Sequence, residues 1–420
     1  MNGSQWRSLP AKQIAAIAVR ILGAAFGFLA TLVVTRQLGA DQAGIFFASV
    51  AWASFLAIFA RWGMQDVLLL SIPDLAEEIE RSQLIARVAG YFRVLIVRLA
   101  VLVPLTIVAW FALYAAGLGG LISIAAIAVL LVVTACLQMA SALAKARHIP
   151  AMAFFGELVV PPILVLAALL GLAAEQGVLG ISGATTAYAM AGLGGLLVLG
   201  LAVRKDFGKP TRIDPVPPGD LKRANTFAVT ELALFVSAFG SVLLMPFLLG
   251  AEETGAFNLS LRIVAVGSLV PTSIAAVITP AMVKAWKAND KVAIHRTLRH
   301  ARFMMALAAV IYAVGIWAVG PVVLAWAGTQ FTVMNAPMMV MMIGYFGGLL
   351  CGPSGVLLAV SGREAVARNI AIASAILSLL ALVMATILFG YLGTAVVVGS
   401  TFFLHRLALL VAERLSRNTA

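Results

Sequence analysis

The opening stretch MNGSQWRSLPAKQIAAIAVRILGAAFGFLATLVV, residues 1–34, decides the solvent in which this chain folds. Positive charge at Arg7 and Lys12 precedes an apolar run too long for the core of a signal peptide,. Further apolar segments follow at once, so the run reads as a retained first membrane helix. Composition extends the reading to the whole chain. Of 420 residues, 62% are hydrophobic and 11% charged, with a mean hydropathy of +1.05, whereas soluble domains carry about 25% charged residues. A polytopic all-α membrane protein is the expectation.

At roughly 20 apolar residues per crossing, spans fall near 14–35, 43–63, 92–114, 119–142, 151–173, 178–202, 224–248, 255–279, 303–326, 333–360, 367–389 and 391–411. Pro104, Pro337 and Pro353 mark the third and tenth as candidates for kinks or breaks,. Charge tests the count. With the N-terminus in the cytoplasm, all but Arg36 and Arg262 of the 29 basic residues lie on the cytoplasmic side. A missed or invented span would invert every later loop and destroy that alternation. Twelve helices are expected, with both termini cytoplasmic.

The polar segment RKDFGKPTRIDPVPPGDLKRAN, residues 204–225, sits at the midpoint. It suggests an N-terminal six-helix lobe over 1–203, a cytoplasmic linker over 204–223 and a C-terminal six-helix lobe over 224–420. The segments from Pro73 (PDLAEEIERSQLIARVAG) and from Val283 (VKAWKANDKVAIHRTLRH) read as amphipathic stretches near the surface,. An internal repeat supports the halving. LGADQAGIFF, 38–47, recurs as LGAEETGAFN, 249–258, each after the first helix of its half,. Both copies read as tight outer turns in which glycine releases one helix and Asp41 or Glu252 caps the next. Because both begin on the same side, the repeat is parallel, with a pseudo-twofold along the membrane normal.

The basic charge does not indicate nucleic acid, since it sits in short loops between spans and no zinc spacing or phosphate loop accompanies it,. Cys136 and Cys351 read as packing residues, and the four histidines lie at cytoplasmic edges without a catalytic pattern,.

The stretch VRILGAAFGFLATLVVTRQLGADQAGIFFAS, 19–49, resembles the opening of bacterial polysaccharide and oligosaccharide (O-antigen type) flippases. VLAWAGTQFTVMNAPMMVM, 323–341, and LLAVSGREAVARN, 357–369, resemble the last third of the same family. Its wider group is the multidrug/oligosaccharidyl-lipid/polysaccharide exporter superfamily. The resemblance implies two six-helix lobes around a central cavity and alternating access. It further implies transfer of an undecaprenyl-pyrophosphate-linked oligosaccharide between leaflets, no enzymatic step and no cofactor beyond coupling to protons or sodium ions. Lipid-linked oligosaccharide and membrane lipids are the implied partners, with a glycan polymerase as a further candidate. Action as a monomer in the bacterial inner membrane completes the picture. A small-molecule or drug antiporter of the same superfamily is the alternative. It is disfavoured because Glu157 is the lone carboxylate in the N-terminal spans, where the multidrug branch usually has an acidic cation site.

Charged residues within spans are expensive and need a reason. By helix and approximate depth, Arg20, Arg61 and Arg262 match arginines of the related peptidoglycan-precursor flippases, although those usually have fourteen helices. Arg262 reads as a guanidinium fork for a phosphate, or else as a structural partner of Glu252 or Glu253 or a side chain snorkelling to the outer surface. Its neighbours divide by helical spacing. Leu259, Ile263 and Val266 form one strip, and Asn258, Arg262 and Ala265 a second that could face a cavity,. Arg20 is either a headgroup contact or an inner-face anchor, and Arg36 either a contact or a cap on the last carbonyls of its helix. Arg61, Arg93 and Arg98 lie near the inner face, where they could draw in anionic headgroups. Glu157 and Glu231 are candidates for ion coupling or for pairing with a cation.

Overall fold

The computed structural model describes residues 11–78, 81–117, 120, 122–147, 149–176, 180–204 and 212–418. Arg7, His148 and part of the expected linker (205–211) lie outside these residues. Among the described residues the chain is helical throughout, with no strand. In order come α1 (Ala11–Arg61), α2 (Met64–Glu78), α3 (Arg81–Ala115), α4 (Ile124–Ala146), α5 (Pro150–Phe154), α6 (Val160–Gln176), α7 (Ile181–Val203) and α8 (Pro218–Leu248). Then follow α9 (Ala251–Ala265), α10 (Leu269–Lys287), α11 (Lys291–Ala327), α12 (Asn335–Leu350), α13 (Ser354–Val360) and α14 (Glu364–Asn418).

Ten helical stretches among the described residues are long and apolar enough to cross a bilayer. Two are about twice the needed length. The 44 residues of Ala18–Arg61 and the 52 of Glu364–Leu415 would span roughly 65–80 Å at 1.5 Å per residue, against a hydrocarbon core of about 30 Å. Each is broken by a glycine: Gly39 (φ 74°, ψ 175°) in α1 and Gly390 (φ 58°, ψ −144°) in α14. Both breaks fall where the hydropathy pattern separates spans, and dividing there gives the twelve crossings.

The repeat is visible in the backbone. Gly250, the partner of Gly39 in the repeated motif, has φ 116° and ψ 177° before α9. Both glycines thus join a left-handed φ to an extended ψ, which a side chain would strain. The capping role expected for Glu252 is not found. Gly250 is the N-cap and no side chain caps α9. Its carbonyl instead accepts from the Thr254 backbone N–H and, at 2.6 Å, from the Thr254 hydroxyl. A glutamate inside the first turn suits the helix dipole better than the short reach that capping requires.

Two other expectations change. The tenth span ends at Leu350 rather than 360, because Gly352 (φ 81°) turns the chain before the separate α13. Pro337 stands in the first turn of α12, where it costs no hydrogen bond, so it breaks nothing,. The stretch expected from Pro73 to lie along the surface falls partly outside the described residues. It takes in the end of α2 (Met64–Glu78) and the start of α3 (Arg81–Ala115), residues 79–80 lying outside those described, and its Leu84, Ala86 and Val88 are buried.

The chain divides into two compact units, Asn2–Leu232 and Ala233–Ala420, with the division inside α8. In the first, α1 packs on α4 and α6, and α4 on α7, around Val34, Phe46, Val165 and Leu169. In the second, α12 packs on α14 so closely that a Cβ at Gly344 would lie 2.3 Å from the Gly399 backbone. Small residues supply such contacts where lipid gives helices little reason to associate. Phe111, Phe303 and Trp317 stand exposed on spans, as lipid-facing side chains do.

Candidate functional site

The N-terminal unit holds two charged clusters. The first forms where α1 ends. Trp62 (φ 41°) and Gly63 (φ 72°) turn the chain, and a Cβ at Gly63 would sit 2.1 Å from the Ala224 carbonyl oxygen. That close approach sets the end of α1 against the start of α8, and the Trp62 indole N–H donates to Asn225 Oδ1 at 2.7 Å. Arg61 is thereby buried, 2% exposed, with Nη2 3.0 Å from Glu231 Oε1 and Nη1 donating to the Gln65 side-chain oxygen. Arg98 donates to the Arg61 carbonyl at 3.3 Å and so closes the C-terminus of α1. Asp66 on α2 belongs to the same field. Burial, then the neighbouring Glu231 carboxylate, hold its carboxyl above the usual carboxylate range against the pull of Arg61 and Lys145,.

The second cluster surrounds Glu157, which sits in a π-helical segment, Phe155–Val159, between α5 and α6. Such one-turn bulges often mark functional positions. Lys145 Nζ lies 2.9 Å from Glu157 Oε2, which also accepts from the Ser141 hydroxyl. Lys145 Nζ stands 4.8 Å from the centroid of the Phe154 ring, and the Arg20 guanidinium 5.9 Å from the same ring. Two cations therefore share one aromatic ring, a cation–π arrangement.

The C-terminal unit repeats these devices with other residues. The Arg262 guanidinium lies 5.5 Å from the Phe239 ring centroid. Arg406 lies 5.5 Å from that of Phe402, which stacks on Tyr345 at 4.0 Å. Arg302 Nη2 pairs with Glu413 Oε1 at 2.8 Å, and the Glu413 side chain is fully buried.

The candidates thus divide. Arg61, Arg98 and Glu231 come together in one cluster; Arg20 and Glu157 meet in the other through Phe154 and Lys145. Arg262 is half-buried against Phe239, while Arg36 and Arg93 are exposed. The strip expected to open beside Arg262 is only partly open, since Asn258 is buried and Val266, assigned to the opposite strip, is exposed. Sequence reasoning missed Asp66, Gln65, Ser141, Phe154 and Glu413, and treated Lys145 as a topological charge. The i, i+4 spacing of Arg61 and Gln65 was a usable signal; the pairing of Arg302 with Glu413 offered none.

This geometry, apolar helices long enough to cross a bilayer in two units with paired charges among them, is that of a multi-pass membrane protein. The inward-facing conformation of a multidrug resistance MATE family transporter of the MOP superfamily matches with a TM-score of 0.69 and 13% identity, over 97% of this chain and 98% of that one. The lipid II flippase MurJ, in an inward closed conformation, matches with a TM-score of 0.69 and 12% identity, over 96% of this chain and 87% of that one. A MOP superfamily transporter from Pyrococcus furiosus Vc1 (DSM3638) matches at 0.60 and 13%, over 96% and 95%. The profile of the polysaccharide biosynthesis protein family matches residues 11–286, and the chain belongs to that family. No curated protein sequence matches the chain.

Proposed function

We propose that the protein is a flippase that moves an undecaprenyl-pyrophosphate-linked oligosaccharide from the inner to the outer leaflet by alternating access. The bacterial inner membrane is its setting, with both termini cytoplasmic. Family membership supports the glycan class, and the likeness to transporters that include a lipid II flippase supports the mode of action. The observation that carries the reading is the disposition of charge. Glu157, Glu231 and Glu413 each face a lysine or arginine within 3.0 Å, while Arg20, Arg262 and Arg406 rest against aromatic rings. Carboxylates already neutralised within the protein make a poor receptor for an organic cation. A guanidinium presented on an apolar ring has the planar fork geometry that matches pyrophosphate. Coupling to protons or sodium ions belongs to Glu157 or Glu231 in this reading, and a glycan polymerase is the partner that would consume the product.

The test is translocation of an undecaprenyl-pyrophosphate-linked oligosaccharide in proteoliposomes containing the purified chain. Protein-dependent appearance of the glycan on the opposite face is expected. A folded protein that moves an organic cation dye but not the glycan lipid would establish the antiporter alternative instead. For topology, a cysteine placed at Gly219 should react from the cytoplasm and one at Glu252 from the periplasm; reaction of both from one side would overturn the orientation.

A further inference from the structure

The first turns of α11 carry a cavity of about 610 Å³ lined by Lys291, Val292, His295, Arg296, Leu298, Arg299 and Arg302. It lies outside the clusters described above, apart from Arg302. The pattern along the helix is more informative than the charge alone. Val292, Arg296, Arg299, Phe303, Leu307 and Val310 follow one another in steps of three and four residues, so they form one continuous face,. All six are exposed. The inward face is formed by Ile294, Leu298, Ala301, Met305 and Ala309, which are buried.

On the exposed face, cationic side chains at the helix start give way after one turn to a strip of large apolar ones. Phe303 is 71% exposed, Leu307 54% and Val310 51%. The positive-inside preference explains charge at this end of the helix, but it places no demand on which face bears it. Nor does it require an open cavity directly above an uncovered apolar strip. That order of a cationic cleft and then an apolar track complements one chemistry: a phosphate headgroup with hydrocarbon chains attached.

We propose that this face of α11 is a binding site for an anionic phospholipid. The phosphate sits among Arg296, Arg299 and Lys291, and the acyl chains run along Phe303, Leu307 and Val310. Arginine suits the role because its guanidinium pairs with phosphate through two parallel donors, and basic clefts beside membrane helices recognise anionic headgroups in this way. The site stands independently of the proposed transport activity, since Arg296, Arg299, Phe303, Leu307 and Val310 take no part in the ion pairs and ring contacts that carry that reading.

The experiment is native mass spectrometry of the full-length protein titrated with phosphatidylglycerol and, separately, with phosphatidylcholine. Wild type should retain phosphatidylglycerol in preference. Arg296→Gln combined with Arg299→Gln should weaken its binding roughly 30-fold, from about one interaction-equivalent per removed charge, and abolish the preference. Phe303→Ser should weaken both lipids without changing their ratio. Equal retention of the two lipids by wild type, or a preference unchanged in the double variant, would overturn the site. Displacement of phosphatidylglycerol by an equal concentration of undecaprenyl pyrophosphate would also overturn it, by making the cleft a station for the transported lipid. Displacement by inorganic phosphate alone would remove the acyl-chain track from the assignment.

Discussion

In the N-terminal unit, the Arg61–Glu231 pair hides its cation, 2% exposed against 26% for the carboxylate. In the C-terminal unit, the Arg302–Glu413 pair hides its anion, 0% exposed against 33% for the arginine. Both pairs join residues far apart in sequence, yet their burial is reversed. Arg61 also donates to Gln65, and its guanidinium is weakly hydrated and tolerates burial comparatively well,. A carboxylate is smaller and more strongly hydrated. The difference teaches that what a mutation costs depends on which charge is left behind, more than on whether a pair is broken.

The largest effect is therefore expected from Arg302→Ala, which leaves Glu413 buried. A loss of about 3–5 kcal/mol is the scale for removing one partner of a buried ion pair. Thermal unfolding in detergent should show a much lower Tm, and Glu413→Leu added to Arg302→Met should recover most of it. Recovery by neither change would break the comparison.

Arg262→Ala comes next, read in transport at matched protein levels. Loss of a charge-assisted contact of about 1.5–3 kcal/mol predicts roughly a ten- to hundredfold slower rate, with Arg262→Lys intermediate because lysine keeps charge but not the fork. Arg20→Ala should act in the same direction, since its guanidinium rests on Phe154 as that of Arg262 rests on Phe239. Normal transport by the alanine variants would remove both from the site. A fall in protein level alone would assign Arg262 a structural role.

Glu231→Gln should be milder than Arg302→Ala, at about 1–2 kcal/mol, because an amide oxygen can still accept from Arg61. A Tm loss as large as that of Arg302→Ala would erase the asymmetry between the units. The smallest effect belongs to Asp66. Its carboxyl pKa is raised on folding, chiefly by burial, so the folded state binds the proton more tightly than the unfolded one. Stability from this group is fully present below the ordinary carboxylate value and is lost as pH climbs through the raised one. Asp66→Asn should accordingly stabilise the protein slightly near neutral pH and flatten that part of the pH profile. A Tm that is unchanged at neutral pH would show that Asp66 is solvated.

Much of the architecture was legible before any coordinates. Hydropathy and length are properties of the chain taken in one dimension, so twelve crossings could be counted even though α1 and α14 each run through a glycine break, at Gly39 and Gly390. The repeated turn was equally local, and the shared backbone of Gly39 and Gly250 follows from glycine's tolerance of positive φ,. The site was less legible. Arg20 and Arg262 stood out because they interrupt apolar runs, but the rings beneath them did not.

The sequence by itself determined that this is a helical membrane protein and how often it crosses, and it carried the repeated glycine turn at Gly39 and Gly250. Only the tertiary structure decided which charges neutralise one another. Glu157 is met by Lys145 and Ser141, Glu231 by Arg61, and Glu413 by Arg302. The physical reason is that pairing depends on the depth and rotation of helices distant in sequence. A rotation of 100° per residue turns a neighbouring position from a buried partner into a lipid-facing one, and no one-dimensional pattern records which helix lies opposite.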